Sequence, residues 1–145
     1  MSCIRRCHRD QRGFTLIELV IIIAVLGIIA AVAIPKYVDM ISDAKESACK
    51  GALGGLRSAI SIYYANTALK TGAATWPPID SVQTVGVVMA QSLPPNPYQS
   101  ESNAPDSVVT GVTKGTTVGA RGGWAYKPSS GEIWPNTSSV GENNW

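Results

Sequence analysis

Residues 12–37 read RGFTLIELVIIIAVLGIIAAVAIPKY, and this stretch decides the fold. Glu18 is the only charged residue between Arg12 and Lys36. As an α-helix, residues 14–34 would be about 31 Å long, which matches a hydrocarbon core of about 30 Å. The stretch therefore predicts a membrane-spanning helix over residues 14–35. A charge at the centre of such a helix costs about 2.5–3.5 kcal/mol, so Glu18 indicates a functional partner.

Residues 1–13 form a basic leader with Arg5, Arg6, Arg9 and Arg12, which favours retention on the cytoplasmic side of a membrane. Two ordinary interpretations are open. A secretory signal could be cut after Ala31-Val32-Ala33, but Glu18 would interrupt its apolar region and the helical pattern continues past that site. A permanent single-pass anchor fits the length but leaves Glu18 unexplained.

A third interpretation uses a cut between Gly13 and Phe14. The cut would create a new amine on Phe14, and Glu18 lies four residues further on, one helical turn away. In an assembly, Glu18 could neutralise the amine of an adjacent copy. A buried ion pair is tolerable where a lone carboxylate is not.

The run Gly13-Phe14-Thr15-Leu16-Ile17-Glu18 resembles the processing site of type IV pilins and of the related pseudopilins of type II secretion. The resemblance implies that a prepilin peptidase cuts after Gly13 and methylates the amine of Phe14, and that Glu18 guides assembly. It also implies four partners: copies of the chain or homologous pilins in a helical filament, the peptidase, an inner-membrane assembly platform, and the lipid bilayer before assembly. The expected location is the inner membrane and then a cell-surface pilus, or a periplasmic pseudopilus in the alternative function as a secretion piston.

Gly27 and Pro35 are predicted weak points of the helix, because proline removes one backbone hydrogen bond and glycine favours other conformations. They could form an ordinary membrane-helix kink. The resemblance implies instead a soft segment that unwinds on assembly.

Residues 36–70 continue as an amphipathic helix, so that one helix would reach from Phe14 to about Lys70 over about 85 Å. Only lipid or other copies could cover its N-terminal half. Gly51, Gly54 and Gly55 are predicted packing positions. The predicted apolar stripe recurs at steps of three and four residues: Tyr37, Ile41, Ala44, Ala48, Ala52, Leu56, Ala59 and Tyr63.

Residues 71–145 are predicted to form the globular part. Six of the nine prolines lie in residues 77–105, which indicates an irregular connecting region with one short helix in residues 82–93. Strand signals follow at residues 107–113 and, more weakly, at 116–120. A hairpin is predicted from residues 124–126 and 132–134, with Trp124, Tyr126 and Trp134 together on the face that covers the helix. The expected fold class is α+β, with a long N-terminal helix packed on a small C-terminal antiparallel sheet.

Composition excludes several classes of function. Four of the 12 basic and one of the 10 acidic side chains lie in the leader, so the remaining eight and nine sum to −1, which does not favour nucleic-acid binding. Beyond the leader, Cys49 is alone and no histidine remains, so no intrachain disulfide and no enzyme activity are expected. Asp106, Glu132 and Glu142 are too scattered to predict a calcium site, and no metal or cofactor is expected.

Overall fold

The computed structural model describes residues 13–145, so the predicted leader lies outside the described residues except for Gly13. The first helix, α1, spans Leu16–Thr71 and includes Gly27 and Pro35 without interruption. The predicted end of this helix at about Lys70 is therefore confirmed. The chain divides into two units between Met40 and Ile41.

The first unit carries the apolar half of α1. Its most apolar window of 18 residues has a mean hydropathy of 3.1, and none of that window is buried. By length and composition, this helix can cross a membrane. Each large apolar side chain from Phe14 to Ile34 is between 42% and 81% exposed. The unit therefore forms no core of its own.

In the second unit, α1 buries Cys49, Leu53, Leu56 and Ile60. The predicted stripe was wrong for most of its members, because Ala44 and Ala48 are exposed and only Leu56 is buried. The predicted steps of three and four residues were right. The buried side chains, however, lie about one position further along the helix than the predicted ones. Leucine and isoleucine remove more apolar surface from water than alanine does, so the helix turns its larger side chains inward.

The three glycines of this part of α1 pack against nothing within the described chain. Gly51, Gly54 and Gly55 are exposed, and a Cβ atom added to any of them would meet no other atom within 4 Å. Their predicted packing against the sheet or a second helix of the same chain was therefore wrong.

The connecting region holds one short helix, α2, at Ile79–Gln83. It lies earlier than the predicted helix in residues 82–93. Pro78 precedes its first residue, and proline favours a helix start because its missing N–H and fixed φ cost nothing there. Gly86 then adopts φ of +87°, which a continuing helix would not allow.

The sheet has three strands in the order β1, β2, β3. They are Val108–Thr110, Trp124–Lys127 and Glu132–Pro135. The antiparallel hairpin of β2 and β3 confirms the prediction, but β1 pairs with β2 in parallel. The sheet is therefore mixed. Residues 111–123, part of which was predicted as a strand at 116–120, form the crossover of about a dozen residues that parallel pairing needs.

The hairpin register separates the three aromatic side chains. Tyr126 pairs with Ile133, and Ala125 pairs with Trp134. Paired residues share a face, so Trp124 and Tyr126 join the core with Ile133 while Trp134 lies on the opposite face. The prediction of one aromatic face was wrong for Trp134, although all three side chains are buried.

The crossover covers the second face of the sheet. Trp134 donates its indole N–H to the carbonyl of Thr116 at 2.8 Å. A Cβ atom on Gly111 would lie 2.4 Å from the Trp134 ring, so the backbone of the crossover approaches the ring directly. The segment 116–120, which was predicted as a weak strand, is therefore part of the crossover that packs over Trp134.

Candidate functional site

The predicted processing site lies just before α1 begins. Gly13, Phe14 and Thr15 are outside the helix and exposed, and a Cβ atom added to Gly13 would meet no described atom within 4 Å beyond its chain neighbours. A peptidase binds its substrate in extended form, which a bond inside a helix does not offer. The Gly13–Phe14 bond is therefore accessible in this structure.

Thr15 and Glu18 begin the helix together. The main-chain N–H of Glu18 donates to the hydroxyl of Thr15 at 3.2 Å, and the N–H of Leu19 donates to the Thr15 carbonyl. Threonine followed by glutamate three residues later is the sequence signature of a capping box. The sequence analysis missed this role of Thr15, although the signal T-x-x-E is visible in the sequence.

Glu18 is exposed in the first turn of α1, where the helix dipole favours a negative charge. Its neighbours along the helix are apolar and exposed as well. The structure thus places Gly13, Phe14 and Glu18 together at one end of α1. It places Gly27 and Pro35 further along the same helix, away from that group.

The globular unit is held by buried asparagines that the sequence analysis did not single out. Asn136 donates from Nδ2 to the carbonyls of Val118, Arg121 and Gly122, and its Oδ1 accepts the N–H of Val118. It closes the end of the crossover onto β3. Asn-Thr-Ser at 136–138 looks like an exposed sequon, so no local signal predicts this buried role.

The side chain of Asn96 joins its own connection to three other segments. Its Nδ2 donates to the carbonyl of Gly123 at 2.8 Å and to the hydroxyl of Thr137 at 3.1 Å. Its Oδ1 accepts the main-chain N–H of Tyr98 and the thiol of Cys49 in α1. Asn96 therefore ties the proline-rich connection to the helix and to the sheet.

The thiol of Cys49 is fully buried. Burial, and secondly the charge of Glu142, raises the pKa of Cys49 to about 11. A thiol with such a pKa remains protonated at neutral pH and is a poor nucleophile. Cys49 therefore acts as a small packed side chain.

Within residues 13–145, no group of three or more histidine, cysteine, aspartate or glutamate side chains lies close enough to hold a metal ion. The clefts of the globular unit are shallow. A cleft of about 520 Å³ has the charged side chains Glu101, Asp106 and Arg121 in its lining, and these form no ion pair among the described residues.

Comparison with known proteins matches the same end of the chain. Residues 8–34 match the family model of the prokaryotic N-terminal methylation motif. The type IV major pilin protein PilE of Neisseria gonorrhoeae is 36% identical over 108 residues, which cover 74% of this chain and 59% of that protein. The fimbrial protein EcpC of Eikenella corrodens is 46% identical over 56 residues, which cover 39% of this chain and 37% of that protein.

The matches thus span about two fifths to three fifths of these relatives. No solved structure matches the chain. The motif at the N-terminus, the exposed apolar half of α1 and the identity to major pilins agree with one another. The chain is thus similar to type IV major pilins and matches the N-terminal methylation motif, which supports a place in the type IV pilin family.

Proposed function

We propose that this chain is a structural subunit of a type IV pilus-like filament, processed after Gly13 and assembled through the apolar half of α1. The observation that carries the proposal is the complete exposure of that half. Fourteen large apolar side chains from Phe14 to Ile34 are exposed. Covering each contributes on the order of 1–2 kcal/mol, so lipid or other copies must surround the segment.

Glu18 supplies the specificity of the proposed assembly. Lipid can cover the apolar side chains, but it offers no cation at the depth of Glu18. The amine that processing creates on Phe14 of a neighbouring copy is such a cation. We infer that the charge pair makes the assembled filament preferable to the dispersed subunit, because an unpaired charge in an apolar environment is strongly unfavourable.

The named relatives support a surface fibre. The gonococcal relative is a major pilin and the Eikenella relative is a fimbrial protein. Gly27 and Pro35 are proposed soft points of α1, since Pro35 leaves the carbonyl of Ala31 without its helical donor. The proposed location is the inner membrane for the precursor and the cell-surface pilus for the processed subunit.

Intact-mass analysis of filaments sheared from cells tests the proposal. The expected mass begins at Phe14 and includes one added methyl group, and the Gly13→Val variant is expected to remain unprocessed and to leave the filament fraction. A mature N-terminus at Ile34 would establish an ordinary signal peptide. Processed subunit that stays in the periplasm, with no surface fibre, would establish the secretion piston.

A further inference from the structure

Residues 137–145, here called the strap, contain a buried carboxylate that fixes their local backbone conformation. Glu142 is 0% exposed. Its Oε1 accepts the N–H of Ser139 at 3.0 Å, and its Oε2 accepts the N–H of Val140 at 2.8 Å. Protonation would weaken this arrangement, because the oxygen that carries the proton is a poorer acceptor for an N–H group than a carboxylate oxygen is.

The tip of the strap is fixed to the globular unit by polar contacts. Asn143 donates from Nδ2 to the carbonyl of Gly115, and Arg57 donates to the main-chain oxygen of Trp145. The ammonium of Lys50 lies 4.6 Å from the centre of the Trp145 ring, and Tyr98 meets the ring edge-on at 6.3 Å. These contacts fasten the strap, each contributing on the order of 1–3 kcal/mol, and they require the local conformation of the strap that Glu142 fixes.

Cys49 lies beneath the strap. Its thiol is fully buried, and Trp145 and Tyr98 both pack on the cluster that contains it. Burial is the main cause of the raised pKa of Cys49 and of Tyr98, and the charge of Glu142 adds to both shifts, after that of Glu46 for Tyr98. The ionisable and charged groups around the strap are therefore Glu46, Cys49, Lys50 and Arg57 of α1 and Tyr98 of the connection.

The sign of the pH effect follows from the surroundings of Glu142. Burial raises its pKa, but hydrogen bonds from the hydroxyl of Thr137 and from the amides of Val140, Glu142 and Ser139 outweigh burial and lower the pKa from 4.5. A group whose pKa is lower in the folded state stabilises that state above its unfolded pKa. This stabilisation is lost as the pH falls through the folded pKa.

We propose that the strap is an acid-released cover, in which protonation of Glu142 opens residues 137–145 and exposes Cys49 while the rest of the globular unit stays folded. Segments held by few contacts open with smaller free energies than the global unfolding of the domain. The proposal goes beyond filament assembly and does not depend on it.

The test measures the reaction of Cys49 with 4,4′-dithiodipyridine, which reacts with thiols in acid, in the full chain in detergent micelles. Cys3→Ser and Cys7→Ser remove the other two thiols. The labelling rate, divided at each pH by that of free N-acetylcysteine, is expected to rise several-fold between pH 6 and pH 3 while the circular dichroism stays unchanged. Glu142→Gln is expected to label quickly at pH 6 and to lose the pH dependence.

Glu132→Gln is the matched control, since this half-buried carboxylate accepts a hydrogen bond only from Ser130 and lies outside the strap. It should label as the parent protein does. The pH series is measured on the parent protein, so its result does not depend on whether the Glu142→Gln variant folds. A labelling rate that does not change with pH would overturn the proposal, and so would loss of circular dichroism in step with labelling.

Discussion

The two units of this chain differ in where their large apolar side chains lie. Between Phe14 and Ile34 every large apolar side chain is exposed, whereas in the second unit Trp124, Tyr126 and Trp134 are buried completely. The first unit has one helix and one apolar surface, so its partner must come from outside the chain. The second unit has a buried core of its own, and most of its buried polar side chains are hydrogen-bonded within it, with the Tyr98 hydroxyl as the exception. One unit is built for association and the other for independent stability.

Two carboxylates show the same contrast. Glu18 is exposed in the first turn of α1, and within residues 13–145 its carboxylate has no recorded hydrogen bond or ion pair. Glu142 is buried, and its side-chain oxygens accept main-chain N–H groups of its own strap. The described residues thus complete the environment of Glu142 and not that of Glu18. This difference fits the proposed subunit, in which Glu18 pairs with another copy.

The largest expected effect comes from Glu18→Ala. Processing and membrane insertion should continue, because removal of the charge also removes an insertion cost of about 2.5–3.5 kcal/mol. Filaments should be absent or sparse, since the partner of the Phe14 amine is gone. Electron microscopy and the yield of sheared filaments measure this. Glu101→Ala, on an exposed loop, is the control, and filaments of normal abundance from Glu18→Ala would sink the role of Glu18.

The second effect is on the globular unit. A fragment Asp39–Trp145 is expected to fold as a monomer without disulfides. Trp124→Ala should lower its free energy of unfolding by about 3–5 kcal/mol, because the ring fills the core and its N–H donates to the carbonyl of Pro94. Thermal or urea unfolding measures the loss. Val112→Ala, at a 75% exposed site, should change little, and an equally small effect of Trp124→Ala would contradict the assignment.

Asn136→Ala should destabilise the same fragment by about 1–3 kcal/mol, because the carbonyls of Val118, Arg121 and Gly122 would each lose a hydrogen bond from the Asn136 amide. Urea unfolding measures this value. Asn144→Ala removes an asparagine from an exposed site of the same unit and serves as the comparison. Equal stabilities of the two variants would show that the Asn136 amide does not hold the crossover against the sheet.

The smallest effect is expected at the surface of α1. Glu46 and Lys50 form the only ion pair found within residues 13–145, and their side chains are about half exposed. Glu46→Gln should therefore change the free energy of unfolding by less than about 0.5 kcal/mol, since water and salt screen such pairs. Unfolding at low and high salt tests this expectation. A loss above 1 kcal/mol would show that the pair is part of the core contacts around Tyr98.

The sequence by itself determined the regular and local features. Residues 16–34 have one kind of environment along their whole length, so composition alone predicts the apolar helix and its need for an external cover. The run from Gly13 to Glu18 could likewise be recognised from consecutive residues alone. The hairpin of β2 and β3 could also be predicted from the sequence, because two short strand patterns flank a turn within a dozen residues.

Only the tertiary structure decided which residues meet across long separations. The parallel pairing of β1, the opposite faces of Trp124 and Trp134, and the helix face that carries Leu53 and Ile60 depend on register. A shift of one residue reverses a side chain's face in a strand, and no local preference fixes that shift. The buried roles of Asn96 and Asn136 arise for the same reason. Polar side chains lie in a core only where distant backbone groups need partners, and those groups are assembled by the fold itself.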